Sequence, residues 1–275
     1  MDILSYYSFF PACAAIIILV IITVKFTLSK KNFLNEKPYF YSIPLFLTIL
    51  LLVSSYIIFR AILAEYYFNK SLTSEPVKDI YEYQRLSIIT NPYIEKYRLR
   101  FSQTNLLIAN SLLDKSKDPS PQDRQTATKA IQAAIEEAKA GVKLNDQKAA
   151  NWANLAEIYK HLLNIAENAD SWAISSYQRA IVLDPQNANY RLELGGVYYL
   201  LKKYDDAVRS FEEVIKLKPD WPNAYYNLAW TFYQKGQIDK AISNMQTTIS
   251  LLAKQGNDAE FKKANGDLEH FNSLN

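Results

Sequence analysis

Apolar side chains fall into three regimes along the chain. Ile3 to Val24 and Tyr39 to Phe59 carry no charged side chain. Each run is long enough, at about 1.5 Å per helical residue, to cross a hydrocarbon layer of about 30 Å. The pattern therefore predicts a transmembrane hairpin within residues 1–60, with spans at about 3–24 and 39–59. From Ala61 to Asn91 the pattern turns amphipathic, with Ala64, Tyr67, Phe68 and Leu72 at helical spacing and then Ile80, Tyr83, Ser87 and Ile88 leading to Asn91-Pro92. Phe101, Ser102 and Leu106 open a longer helix towards Leu113, and a polar loop containing Pro119 and Pro121 is predicted from Asp114 to Gln125. Residues 61–125 thus read as a helical connector with a degenerate repeat.

After that loop the spacing becomes periodic. Leu194, Gly195 and Tyr198 return 34 residues later as Leu228, Ala229 and Phe232, and Ala207, Phe211 and Val214 return as Ala241, Met245 and Thr248. Ala173, Tyr177, Ala180 and Pro185 stand one period before Ala207, Phe211, Val214 and Pro219. Each copy is two short helices, with small residues where backbones approach and bulky ones filling the space between. Trp152, Leu155, Ala156 and Tyr159 form the first helix of an earlier copy but sit too far from their partner, so residues 161–171 must hold a longer helix or a bulged turn. Ala134, Ala138 and Leu144 read as one more second helix, with Asn145-Asp146 in the place of the proline.

This period and pattern resemble the tetratricopeptide repeat. The resemblance implies an all-α solenoid of about four to five repeats, some degenerate, over residues 126–254. A capping helix and tail over 255–275 would cover the open apolar end. In that family the first helices line a concave groove, and the positions not used for packing within the pair are available to a partner. Here those are Asn189, Leu192 and Tyr199 in one copy and Asn223, Tyr226, Asn227, Trp230 and Tyr233 in the next, with Ala153, Glu157 and Lys160 upstream. Aromatic and amide groups on a rigid groove suit a protein or peptide partner, or a glycan. The same aromatic stripe would equally serve to pack against a neighbouring helix or the cap. The family's basic clamp for C-terminal carboxylates is missing, since Ala153 and Leu192 stand where that subclass carries lysines.

Charge refines the picture. The net charge of +3 lies entirely in the first sixty residues, which hold five basic and two acidic side chains, while the remainder balances at 26 of each sign. A repeat region with no basic excess lacks the footprint of a nucleic-acid binder. Lys25, Lys30, Lys31 and Lys37 lie between the two apolar runs, so the positive-inside bias puts that connection in the cytoplasm and the repeats outside it. Cys13 is the only cysteine and excludes an intramolecular disulfide. His161 and His270 lie far apart with no cysteine partners, the six glycines form no phosphate loop, and the paired carboxylates sit beside lysines as on a solvated face. No catalytic residue, metal site or cofactor is predicted, and the chain reads as a non-enzyme.

A looser resemblance concerns Ala64 to Lys70, Asn91-Pro92-Tyr93 and Trp152 to Tyr159, which look like the C-terminal repeat region of O-antigen ligase or polymerase type membrane proteins of bacteria. It implies a setting in the bacterial cell envelope, at the cytoplasmic membrane, with none of that family's catalytic part. The leading expectation is a membrane-anchored scaffold for protein–protein interaction in contact with the lipid bilayer. The alternative is a C-terminal fragment or accessory subunit of a glycan-assembly enzyme.

Overall fold

The computed structural model describes residues 39–114, 119–163 and 165–273; the predicted first span lies outside them. Among the described residues there are eleven helices and no strand. The chain divides into two compact units, with the boundary between Pro92 and Tyr93.

In the first unit, α1 (Tyr39–Thr73) is one unbroken helix of 35 residues. The second predicted span ends at Phe59, yet the helix runs on through Arg60. A charge does not stop a helix, and no breaker occurs between Arg60 and the segment leading into Pro76. Around the apolar half no face is buried: the large side chains from Leu45 to Ile58 are 44–65% exposed. This helix is long and apolar enough to cross a membrane, with a mean hydropathy of 2.2 in its most apolar stretch.

Helix α2 (Val77–Thr90) folds back on the second half of α1. The Tyr83 ring stacks on Tyr67 at a centroid separation of 6.4 Å, and the Lys70 ammonium lies 4.7 Å from the Tyr83 ring. Arg60 donates to the Ile89 carbonyl at 2.9 Å, closing the C-terminal end of α2.

The second unit is a linear stack of helical hairpins. These are α3 (Glu95–Asp114) with α4 (Pro121–Leu144), α5 (Ala149–His161) with α6 (Ala169–Leu183), α7 (Ala188–Leu200) with α8 (Tyr204–Leu217), and α9 (Pro222–Gln234) with α10 (Ile238–Gln255). Each helix packs on the next in sequence order, and α11 (Asp258–Asn272) packs on α10 at the end. The small residues of the pattern, Ala134, Ala138, Ala156, Ala173, Ala180, Ala207, Ala229 and Ala241, are all fully buried. One cluster of buried side chains runs from Leu106 to Val197 and a second from Ala207 to Phe271. At Gly195 an added Cβ would sit 2.5 Å from the Phe211 ring, so the small residue there is dictated by packing.

The helix α4 begins earlier than the polar composition suggests. Pro121 occupies its first turn, and the Ser120 hydroxyl accepts from the Asp123 amide at 3.1 Å, a side-chain cap that converts apparent loop residues into helix. The early start lets α4 pair along α3. Between α5 and α6 the expected irregularity is a bulged turn, described over residues 162–163 and 165–168, against three-residue turns at 201–203 and 235–237. Leu162 is buried in it, Asn168 takes a left-handed conformation, and Trp172 stacks on Tyr159 at 5.7 Å to seat the start of α6. In the short turns Lys202 (φ 58°) and Gly236 (φ 71°) occupy the same left-handed position one period apart, where glycine is the unstrained choice.

Candidate functional site

The first helices of the hairpins put their second stripe on one side of the stack, and the predicted site residues divide into two groups there. Asn189 and Asn223 are exposed near the starts of α7 and α9. The Asn189 backbone N–H donates to the Asn187 side-chain carbonyl at 3.2 Å, which caps the start of α7. Leu192 and Tyr199 are half-buried against the second cluster, with Tyr199 edge-on to Tyr204 at 5.8 Å. Between them, Gly196 has no atom within 4 Å of where a Cβ would stand. This part of the stripe is accessible.

The α9 part is covered by the chain itself. Tyr226 donates its hydroxyl proton to Asp267 at 2.8 Å, and Tyr233 stacks on Phe271 at 4.9 Å while its hydroxyl meets the His270 ring nitrogen at 3.1 Å. Trp230 lies edge-on to Phe271 at 5.1 Å. Asn227 donates its amide back to the Asn223 carbonyl at 2.8 Å. The aromatic stripe of α9 thus faces α11, which sits where the first helix of another repeat would. Sequence reasoning named the stripe but not Asp267, His270 and Phe271, because nothing in a linear pattern says which helix comes to rest on which stripe. A small open pocket remains at the other end of this contact, lined by Asn223, Tyr226, Thr248, Leu252, Glu260 and Lys263.

Upstream, Glu157 and Lys160 do not stand as separate groove contacts. The Lys160 ammonium bridges Glu157 at 2.9 Å and Glu193 at 2.7 Å, so it links α5 to α7. Glu157 also receives Tyr177 at 2.7 Å and lies 3.0 Å from the His161 ring. Burial alone would raise the Glu157 carboxyl, but bonds from His161, Tyr177 and Lys160 outweigh it and hold the group at about 2. Burial opposes the charge on Lys160 as well, and its two carboxylate partners raise it nonetheless. Burial and the Glu157 charge push the Tyr177 hydroxyl up, which keeps it a proton donor.

A carboxyl held low in the folded state contributes stability above its ordinary value that disappears as pH falls through the folded one. Glu157→Gln is therefore expected to melt below the wild-type chain at pH 7. The gap should close between about pH 4.5 and pH 2, as circular-dichroism melts across that range will show; a gap independent of pH would refute the assignment.

Matches to known proteins agree with the stack of helical hairpins. The family model described as TPR repeat matches residues 168–202 and 197–236, and that described as tetratricopeptide repeat matches residues 222–251. None of the curated proteins matches the sequence. Among solved structures, a MamA protein aligns at 19% identity with a TM-score of 0.54, covering 74% of this chain and 96% of its own. MamA from Desulfovibrio magneticus RS-1 aligns at 14% identity and a TM-score of 0.54, covering 70% of this chain and 96% of its own. A thermophilic TPR protein of Thermus thermophilus aligns at 19% identity and a TM-score of 0.50, covering 68% and 90%. Residues 168–251 thus match the models of tetratricopeptide repeats, and the helical stack around them has the fold of TPR proteins. The resemblance to the tails of glycan ligases and polymerases gains no support from these matches.

Proposed function

We propose that this chain is a membrane-anchored scaffold that holds a protein or peptide partner on the first-helix side of its repeats. The observation that carries the reading is the accessible stripe of Asn189 and Asn223, both exposed, with the half-buried Leu192 and Tyr199 between them on a rigid stack. A preformed surface of aromatic and amide groups binds with few rotamers left to freeze, which favours affinity without bond chemistry. Anchoring rests on α1: an apolar helix with every face exposed is stable only where an apolar medium surrounds it. The lysines between the two apolar runs favour a two-span arrangement with the repeats outside the cytoplasm of a bacterial cell.

The test uses the full chain extracted from membranes in detergent after in-cell crosslinking. Asn189→Ala, Tyr199→Ala and Asn223→Ala together are expected to reduce the crosslinked partner at least about tenfold, while Lys216→Ala on the exposed side of α8 leaves it unchanged. Retention of the partner by the triple variant would overturn the reading. In the same cells Ser243→Cys should react with an impermeant thiol reagent; reaction only after lysis would reverse the topology.

A further inference from the structure

The contact between α9 and α11 has the form of an occupied binding site with an imperfect occupant. Three features point this way. The Trp230 indole nitrogen is buried with no hydrogen-bond partner. The Tyr226 hydroxyl beside it is turned to Asp267, to which it donates at 2.8 Å. A buried donor left unsatisfied is a standing cost that a ligand offering an acceptor would remove. Next, α11 is a weakly held helix: only Ala264 and Phe271 are fully buried, and Gly266 sits mid-helix with open space around it, so no packing requires the glycine that weakens the helix. Finally, the pocket at the Tyr226 end shows that α11 leaves part of the stripe uncovered, and Gly256, left-handed at φ 66°, forms the turn between α10 and α11.

We propose that α11 is an internal stand-in for a partner helix, one that presents an acidic side chain and, four residues later, an aromatic ring. Asp267 and Phe271 supply this pair from within the chain. The acid accepts the Tyr226 hydrogen bond and the ring packs against both Trp230 and Tyr233. Residues four apart lie on one face of a helix, so a single partner helix reproduces both contacts. This deepens the scaffold reading and rests on it: the aromatic half of the stripe opens only when α11 yields. Tethering gives α11 an effective concentration in the millimolar range, so an outside helix wins only by binding better or by meeting a weakened α11.

The experiment uses the full chain in detergent and a fluorescent synthetic peptide of residues 257–273. The peptide is expected to bind the Phe271→Ala chain at least tenfold more tightly than the wild-type chain, in which α11 holds the site. A peptide carrying Phe271→Ala should fail on both, and Tyr226→Phe added to the Phe271→Ala chain should weaken binding of the wild-type peptide. If Phe271→Ala disturbs the fold, Asp267→Asn with His270→Ala releases only the polar contacts and is read the same way. Equal binding to wild-type and variant chains, or no binding to a variant whose helical content and melting are intact, would overturn the proposal. So would a wild-type chain that dimerises and is dispersed by excess peptide, since the occupant would then be α11 of a second copy. Of the residues in the crosslinking test only Asn223 borders α11, across the pocket, so a failed peptide with a successful crosslink removes this inference and leaves the scaffold standing.

Discussion

Phe211→Ala should cost about 3–5 kcal/mol, the largest loss expected from a single side chain in the repeat stack. The ring is fully buried and belongs to the cluster formed by Ala207, Leu228, Ala229, Phe232, Ala241 and Met245. Its neighbour on α7 is Gly195, which has no side chain to swing into the vacancy, so the cavity cannot collapse from that side. Each hairpin in a linear stack touches only its neighbours. The loss should therefore be local, with amide exchange accelerating in α7, α8 and α9 well before α4 and α5. Hydrogen exchange with mass spectrometry reads both. Uniform acceleration across the stack, or a loss below about 1 kcal/mol in denaturant melts, would contradict the role assigned to the ring.

The second prediction tests the same joint from the other face. In an ordinary helix interior, glycine to alanine is worth about 1 kcal/mol in favour of alanine. At position 195 the new Cβ would stand 2.5 Å from Phe211, a contact that side-chain carbons do not make, and the ring is walled in by its cluster. Overpacking costs about 1–3 kcal/mol. Steric conflict outweighs the propensity gain, so Gly195→Ala should destabilise. In a Phe211→Leu background the ring edge is gone, and the same Gly195→Ala change should become neutral or stabilising. A double-mutant cycle gives this coupling directly. Additive effects of the two substitutions would sink the explanation, whatever the sign of each alone.

The 34-residue recurrence of Leu194, Gly195 and Tyr198 determines by itself that the chain stacks helical hairpins, because the spacing of small and bulky residues admits one way of pairing helices closely. The same recurrence exposes the irregularity after His161. Composition likewise marks Tyr39 to Phe59 as a helix apolar on every side. All of these are local properties, written in the order of residues along one helix or one pair.

What only the tertiary structure decided are the questions of which surface meets which. Ser120 capping Asp123 turns a polar, proline-bearing stretch into the first turn of α4, since a cap acts through one hydrogen bond that composition does not reveal. Lys160 finds Glu193 across two intervening turns, and Glu157, besides His161 four residues on, gathers Tyr177 from the next helix, at a separation no local pattern specifies. Most consequential, the aromatic stripe of Tyr226, Trp230 and Tyr233 carries the same pattern whether it awaits a partner or is already covered. Asp267 and Phe271 settle the matter by lying on it. Periodicity specifies the faces of each helix, whereas the occupant of a face depends on distances across the fold that no local pattern encodes.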